Sequence, residues 1–155
     1  MTLTDNTGAA IYWLCNGSIT AKDLTATGNG GNELLIPGCT LGGGRQWDLG
    51  DADIPVRVNG TIEVTPNGLL SLMPGTTLGF DKNIYASPTY LVVRDQAALY
   101  ALGTVERPIV FTGAATETGW WGGIEAVDRA TVTLNHCEIA YGGATNNNNL
   151  SAALE

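Results

Sequence analysis

An eight-residue phrase occurs twice in this chain, with its two copies 37 positions apart. Residues 35–42 read LIPGCTLG and residues 72–79 read LMPGTTLG. Each copy places an apolar pair before a Pro-Gly turn, and Thr-Leu-Gly closes the phrase. A strand–turn–strand unit copied at a fixed spacing is typical of repeat proteins, in which each unit buries its apolar face against its neighbours. The repeat therefore predicts a solenoid.

Short apolar alternations, separated by turn signals, fill the chain after Pro55. Runs of three to five residues with a period of two predict β-strands. The alternating pairs are Val56/Val58, Ile62/Val64, Leu70/Leu72, Leu78/Phe80, Leu91/Val93, Leu99/Ala101, Ile109/Phe111, Ile124/Ala126, Val132/Leu134 and Cys137/Ile139. The residues that alternate with them should face solvent, and they include Arg57, Glu63, Thr65 and Ser71.

Residues 95–102 are the exception, because they are good helix formers and Gly103 follows them. The repeat argues against a helix here. Leu99 and Ala101 follow the alternating pair Ile62/Val64 by the same 37 positions. We therefore predict a strand, since tertiary pattern overrides weak local propensity.

The predicted architecture is an all-β parallel β-helix with three short strands in each turn. Turns of about 20 residues would make the 37-position repeat close to two turns. Residues 1–34 lack the clear alternation, so we predict an atypical N-terminal cap there, as solenoids require. Residues 35–145 would form the coils. Residues 146–155 would be a polar tail, either truncated or carrying a cloning scar.

Composition restricts the possible partners. The chain has 155 residues, of which 7 are basic and 15 acidic, giving a net charge of −8. A protein with this net negative charge repels the phosphate backbones of nucleic acids, so we expect no nucleic-acid partner. No stretch approaches the roughly 18 consecutive apolar residues of a membrane span. The first residues do not read as a signal peptide, so an exported protein would be represented here without its leader.

The segment 56–143 resembles the right-handed parallel β-helix domains of bacterial exported and cell-surface proteins, which share the pectate-lyase-like fold. The resemblance is carried by the phrases LLSLMPGTTLGF, LYALGTVERPIVFTG, GWWGGI and ATVTLNHCEIAYGG, which occur in that order. It implies a right-handed coil. Some of these domains are stalks or adhesin-like modules, whereas related coils in pectate lyases and polysaccharide hydrolases are enzymes, so fold alone does not choose the function.

Two charged pairs follow predicted strands and are the catalytic candidates. Asp81-Lys82 comes after Phe80, and Arg94-Asp95 comes after Val93. A basic residue beside an acid could abstract a proton in a lyase reaction. The simpler reading, which we prefer, is solvated loop charge with surface ion pairs.

Metal binding has one acidic candidate, formed by Asp48, Asp51 and Asp53. Their oxygens could gather around calcium, although the spacing lacks the regular ligand order of a calcium loop. We prefer an Asp-rich turn, and we expect no obligatory cofactor. His136 is the only histidine, and we expect a hydrogen-bonded surface residue without a catalytic role.

Aromatic residues are the best indication of a binding site. Trp120 and Trp121 could stack on sugar rings, and Tyr90 could extend the platform. Adjacent strand residues face opposite ways, so only one of the two tryptophans can point outward on a regular strand. The alternative is that one fills the interior and the other covers a loop.

Three cysteines leave at least one thiol unpaired. Cys15 and Cys39 flank the Gly/Asn-rich run at residues 28–32, so a disulfide between them is possible in an exported protein. The alternative is that Cys15, Cys39 and Cys137 are all small buried apolar side chains.

Three functions follow from these features. The first is a non-catalytic structural or adhesive module of a secreted or cell-surface protein, with polysaccharides or other surface proteins as partners. The second is a carbohydrate-active domain that binds, hydrolyses or eliminates a polysaccharide. The third is a self-assembly module whose coil ends stack on another copy to form a homo-oligomer.

Overall fold

A computed structural model describes residues 1–15, 17–82 and 87–144, which form short strands and no helix. The strands are β1 (Thr2–Thr4), β2 (Ala9–Tyr12), β3 (Ile19–Lys22), β4 (Thr25–Thr27), β5 (Gly31–Ile36), β6 (Cys39–Leu41), β7 (Gly44–Asp51), β8 (Val56–Val58), β9 (Ile62–Val64), β10 (Leu69–Leu72), β11 (Thr77–Phe80), β12 (Tyr90–Val93), β13 (Ala98–Leu102), β14 (Ile109–Gly113), β15 (Gly123–Ala126), β16 (Thr131–Asn135) and β17 (Cys137–Ile139). Within these ranges, no helix is long and apolar enough to cross a membrane.

Three parallel sheets wrap around one core. The six-stranded sheet has the order β17-β14-β11-β8-β5-β2, the five-stranded sheet β16-β13-β10-β7-β3, and the four-stranded sheet β15-β12-β9-β6. From β5 onward the chain visits the six-, four- and five-stranded sheets in turn. This order confirms the predicted right-handed parallel β-helix, and β13 confirms the strand predicted in place of a helix at residues 98–102.

The turns are longer than the predicted 20 residues. In the four-stranded sheet, Cys39 lies beside Ile62, Ile62 beside Leu91, and Leu91 beside Ile124, which are spacings of 23, 29 and 33 positions. The first copy of the repeated phrase begins on β5 and the second on β10, in different sheets. The prediction that 37 residues make two turns is therefore wrong, because the copies lie one and two-thirds turns apart.

Each copy of the phrase nevertheless forms the predicted strand–corner–strand unit. Pro37-Gly38 joins β5 to β6, and Pro74-Gly75 joins β10 to β11. Gly38 has φ of +98°, and a Cβ there would lie 2.9 Å from the Cα of Gly60 in the next turn. Glycine is required at this corner because the backbones of successive turns approach too closely for a side chain.

The core is a stack of apolar ladders. The inward residues of β8 to β14 are almost completely buried, as the alternation predicts. Two aromatic pairs pack in or against the core: the rings of Phe80 and Trp121 stack at 4.3 Å, and those of Trp13 and Trp47 meet edge to face at 5.1 Å. The burial weakens in the last described turn, where Ile139 is 45% exposed.

The N-terminal region is less regular. β1 pairs only with β4, and the pairings of β2 with β5 and of β3 with β7 both contain a shift in register. β5 spans the boundary that we predicted between the cap and the coils. The tail predicted for residues 146–155 lies outside the described residues.

The corner between the six-stranded and four-stranded sheets grows along the chain. It occupies residues 37–38 after β5 and 59–61 after β8, but residues 81–89 after β11 and 114–122 after β14. The two long corners account for most of the extra length of the later turns. Asp81, at the start of the first of these corners, and Ala114 and Trp120 in the second line the groove described next.

Candidate binding groove

A groove of about 380 Å³ lies on the outside of the coil, between the six-stranded sheet and the long corners. Its lining combines charged, aromatic and small residues: Glu33, Pro55, Val56, Arg57, Gly79, Asp81, Ala114 and Trp120. β5, β8 and β11 contribute neighbouring positions on the floor. The corners after β11 and β14 contribute Asp81 and Trp120.

Arg57 is the central charge of this groove. Its guanidinium lies 3.6 Å from a Glu33 carboxylate oxygen and donates a hydrogen bond to Asp81. Gly79 is in register with Arg57 and carries no side chain to obstruct the guanidinium. The hydrogen bond to Asp81 is the main reason that the pKa of Arg57 is raised above its ordinary value. One cation therefore links two carboxylates from turns on either side of it.

Asp81 holds the side chain of Trp120, the aromatic residue of the groove lining. Its Oδ1 accepts hydrogen bonds from the Trp120 indole Nε1 at 3.2 Å and from the Lys82 backbone N–H at 2.8 Å. Trp120 is half-buried, and the Lys82 ammonium lies 4.3 Å from the centroid of its ring. The indole is thus held in one orientation with its face against a cation.

The two charged pairs predicted as catalytic candidates are not brought together. Asp81 lines the groove at the end of β11, and Lys82 lies over the ring of Trp120. Arg94 and Asp95 follow β12 of the four-stranded sheet, where Arg94 binds Glu63 at 3.0 Å and Asp95 binds Arg129 at 2.8 Å. Each pair therefore has its own partners, and they do not form one catalytic constellation.

The two tryptophans lie in the corner between β14 and β15, not on a strand, and the aromatic candidates have different surroundings. Trp121 is fully buried, and its Nε1 donates to the Ala140 carbonyl at 2.8 Å, so its prediction as a ligand-binding residue is wrong. Its ring fills the interior against Phe80. Tyr90 is half-buried, donates its hydroxyl to the Ala144 carbonyl at 3.3 Å, and does not line the groove. Trp120, which is also half-buried, is the member of the set that lines the groove.

Of the three aspartates predicted as calcium ligands, Asp48 and Asp51 lie on β7 and share Lys22 as a partner, and Asp53 lies outside that contact. Lys22 Nζ lies 3.8 Å from Asp48 and 3.9 Å from Asp51, and Arg107 donates to Asp51 at 2.7 Å. Asp53 lines a separate cleft near the N-terminal strands. Among the described residues, no three acidic, histidine or cysteine side chains are grouped so as to hold a metal ion.

Two functional candidates were missed by the sequence analysis. Arg57 was expected to face outward, but nothing in the sequence indicates that it links Glu33 to Asp81. Glu33 fell in the segment assigned to the cap. The useful signal is the alternation around buried Leu34 and Ile36, which places Glu33 on the outer face of β5.

Cys15 and Cys39 form a disulfide with a Cα–Cα distance of 6.2 Å. The remaining thiol, Cys137, is partly buried, and burial raises its pKa. The disulfide fastens the segment after β2 to the edge strand of the four-stranded sheet.

Ion pairs between turns should make stability depend on pH. The hydrogen bond from Arg94 lowers the pKa of Glu63, and that from Arg129 lowers the pKa of Asp95. A carboxyl group whose pKa is lower in the folded than in the unfolded chain stabilises the fold at pH values above its unfolded-state pKa. That stabilisation is lost as pH falls through the folded-state pKa. We expect the double variant Arg94→Gln/Arg129→Gln to lose less stability than the parent between neutral and acidic pH, measured by urea unfolding.

Arg45→Gln is the control for this measurement. It removes one positive charge, where the double variant removes two, and the only hydrogen bond that the Arg45 side chain makes in the described part of the chain goes to the Gly44 carbonyl. Its pH profile should match the parent. If the free energy of unfolding falls with pH as steeply in the double variant as in the parent, these ion pairs are not the cause of the acid sensitivity.

The fold and its outer groove define a parallel β-helix protein with a cleft built on its sheet face. A family model described as a pectate-lyase like beta helix domain matches residues 50–154, and the chain belongs to this family. The matched range includes Arg57, Asp81 and Trp120, whereas Glu33 precedes it. Comparison with curated proteins and with solved structures finds no match.

Proposed function

We propose that this chain is a non-catalytic β-helix module of a secreted or cell-surface protein and that it binds a glycan through the groove. The observation that carries the proposal is the position of Trp120, a half-buried indole fixed on Asp81 beside Arg57. Sugar rings present apolar C–H faces that pack on aromatic rings, and their hydroxyls bond to charged side chains. Domains of this family are typically extracellular, which agrees with such a role.

The hydrogen bonds of the groove favour binding over catalysis. Glycoside hydrolysis needs one carboxyl group as an acid and another as a base or nucleophile. Asp81 instead accepts bonds from Arg57, Trp120 and the Lys82 backbone, while Glu33 shares the same Arg57. Carboxylate oxygens held in fixed positions by such contacts suit recognition of hydroxyl groups.

Calorimetric titration against a panel of soluble oligosaccharides tests the proposal. We expect Trp120→Ala to weaken binding at least about tenfold, because it removes both the ring face and the indole donor. Tyr100→Ala is the matched control, since Tyr100 is an exposed aromatic on the five-stranded sheet, away from the groove. Its affinity should equal that of the parent.

The same samples are assayed for released or unsaturated sugar ends, with calcium and with chelator. Binding without product, unchanged by chelator, is the expected result, because Asp48 and Asp51 already face Lys22 and Arg107. Product formation would overturn the non-catalytic assignment. Failure of every oligosaccharide to bind, or equal affinity of parent and Trp120→Ala, would overturn the proposed binding.

Self-assembly through the coil ends is a second proposal, supported by the free edges of the last described turn. Within the described residues, β15, β16 and β17 each have a neighbour on one side only. Unpaired parallel edges can add strands from another chain. Light scattering of the titrated samples reports whether the binding species is a monomer.

A further inference from the structure

The face of Trp120 is already occupied by a positive charge from the same chain. The Lys82 ammonium lies 4.3 Å from the ring centroid, and among the described residues no carboxylate lies within ion-pair distance of it. A lysine side chain is long and flexible and prefers water unless a site attracts its head group. The ring of Trp120 therefore behaves as a seat for an ammonium group.

The surroundings of this seat favour a cation. The indole N–H of Trp120 donates to Asp81, and such a bond to a carboxylate makes the ring face a better cation acceptor. Glu33 and Asp81 outnumber Arg57 in the lining, so the groove without Lys82 carries one net negative charge. The whole chain carries −8, which attracts cationic ligands and repels anionic ones.

We propose that this seat exchanges Lys82 for the ammonium of an amino sugar, so that the glycan recognised by the groove contains free amine groups. This inference rests on the proposed function, since it names the class of glycan. The exchange replaces one ammonium by another and leaves the charge balance with Glu33, Asp81 and Arg57 intact. Lys82 acts as an internal competitor that covers the ring until the ligand arrives.

The exchange predicts an unusual effect of removing a lysine. Lys82→Ala should strengthen binding of a glucosamine oligomer about two- to fivefold, because Lys82 no longer competes with the ligand for the Trp120 ring. This fold-change is the one expected for the loss of an exposed cation–π contact. A ligand that instead pairs with Lys82, such as a uronate, would bind this variant more weakly. The direction of the change therefore separates a competitor from a ligand-binding residue.

Titration calorimetry compares three oligomers of equal length, made of glucosamine, N-acetylglucosamine and galacturonate, at a mildly acidic pH that keeps the amine protonated. The glucosamine oligomer should bind at least about tenfold tighter than the other two. Trp120→Ala should lose that preference. Lys22→Ala, which removes the other lysine, one that does not line the groove, controls for net charge and should leave affinity unchanged.

The outcomes distinguish this inference from the proposed function. Equal or tighter binding of the N-acetylated or uronate oligomer, lost in Trp120→Ala, would overturn the amino-sugar assignment and leave glycan binding standing. Weaker glucosamine binding by Lys82→Ala would overturn the exchange. Binding of none of the oligomers would overturn both. Thermal melting of Trp120→Ala and Lys82→Ala checks that each variant is folded. Trp120→Phe keeps an aromatic ring, so its affinity for the glucosamine oligomer should lie between those of the parent and Trp120→Ala.

Discussion

Leu72→Asp is expected to unfold this protein at neutral pH. Leu72 is 2% exposed on β10, and its register neighbours are Trp47 and Ala101, which also face the core. A carboxylate at this position would lie among the buried apolar side chains of the core, and a buried unpaired charge is strongly destabilising. The expected cost exceeds about 4 kcal/mol, which is a large part of the roughly 5–15 kcal/mol that stabilises a typical domain. Circular dichroism and urea unfolding measure it.

The control lies one residue away on the same strand. Ser71 faces outward between Gln46 and Tyr100, so Ser71→Asp adds the same charge on the solvent side of β10. We expect a change within about 1 kcal/mol, the range of strand propensities. If Ser71→Asp unfolds the protein as readily as Leu72→Asp does, the assignment of inward and outward faces is wrong.

The strands could be predicted because their signal is local. A period of two along the chain reports directly which residues face the core, and the strands from β8 to β14 follow it closely. The length of a turn is not local. It depends on corners such as residues 81–89 and 114–122, whose composition carries no periodic signal, so the spacing of 37 positions was misread as two turns.

The groove could be predicted in part for the same reason. Asp81, Lys82 and Trp120 were identified because they follow strands or are large aromatics. Their assembly depends on parallel stacking, which brings Arg57 and Asp81 together across 24 positions and Asp81 and Trp120 across 39. Unequal turn lengths conceal such pairings in a single sequence, and a register error of one turn would have paired Arg57 with different residues.

Removing the disulfide is the second change with a large expected effect. Cys15 and Cys39 are 24 positions apart, and closing a loop of that size lowers the entropy of the unfolded chain enough to stabilise the fold by about 3 kcal/mol. The bond also fastens the segment between β2 and β3, whose sheet pairings both shift register. The double variant Cys15→Ala/Cys39→Ala should therefore melt about 6–12 °C lower, measured by scanning calorimetry.

Cys137→Ala is the matched control, because it removes a cysteine that is not in the bond. Its thiol donates to the Ala101 carbonyl at 3.3 Å and is partly buried, so its loss should cost less than about 1.5 kcal/mol. Limited proteolysis separates a local from a global effect. Cleavage between residues 13 and 22 well below the melting temperature of the double variant means that the disulfide secures the N-terminal strands to a coil that is stable without it. A melting temperature of the double variant equal to that of the parent would contradict the entropic role of the disulfide.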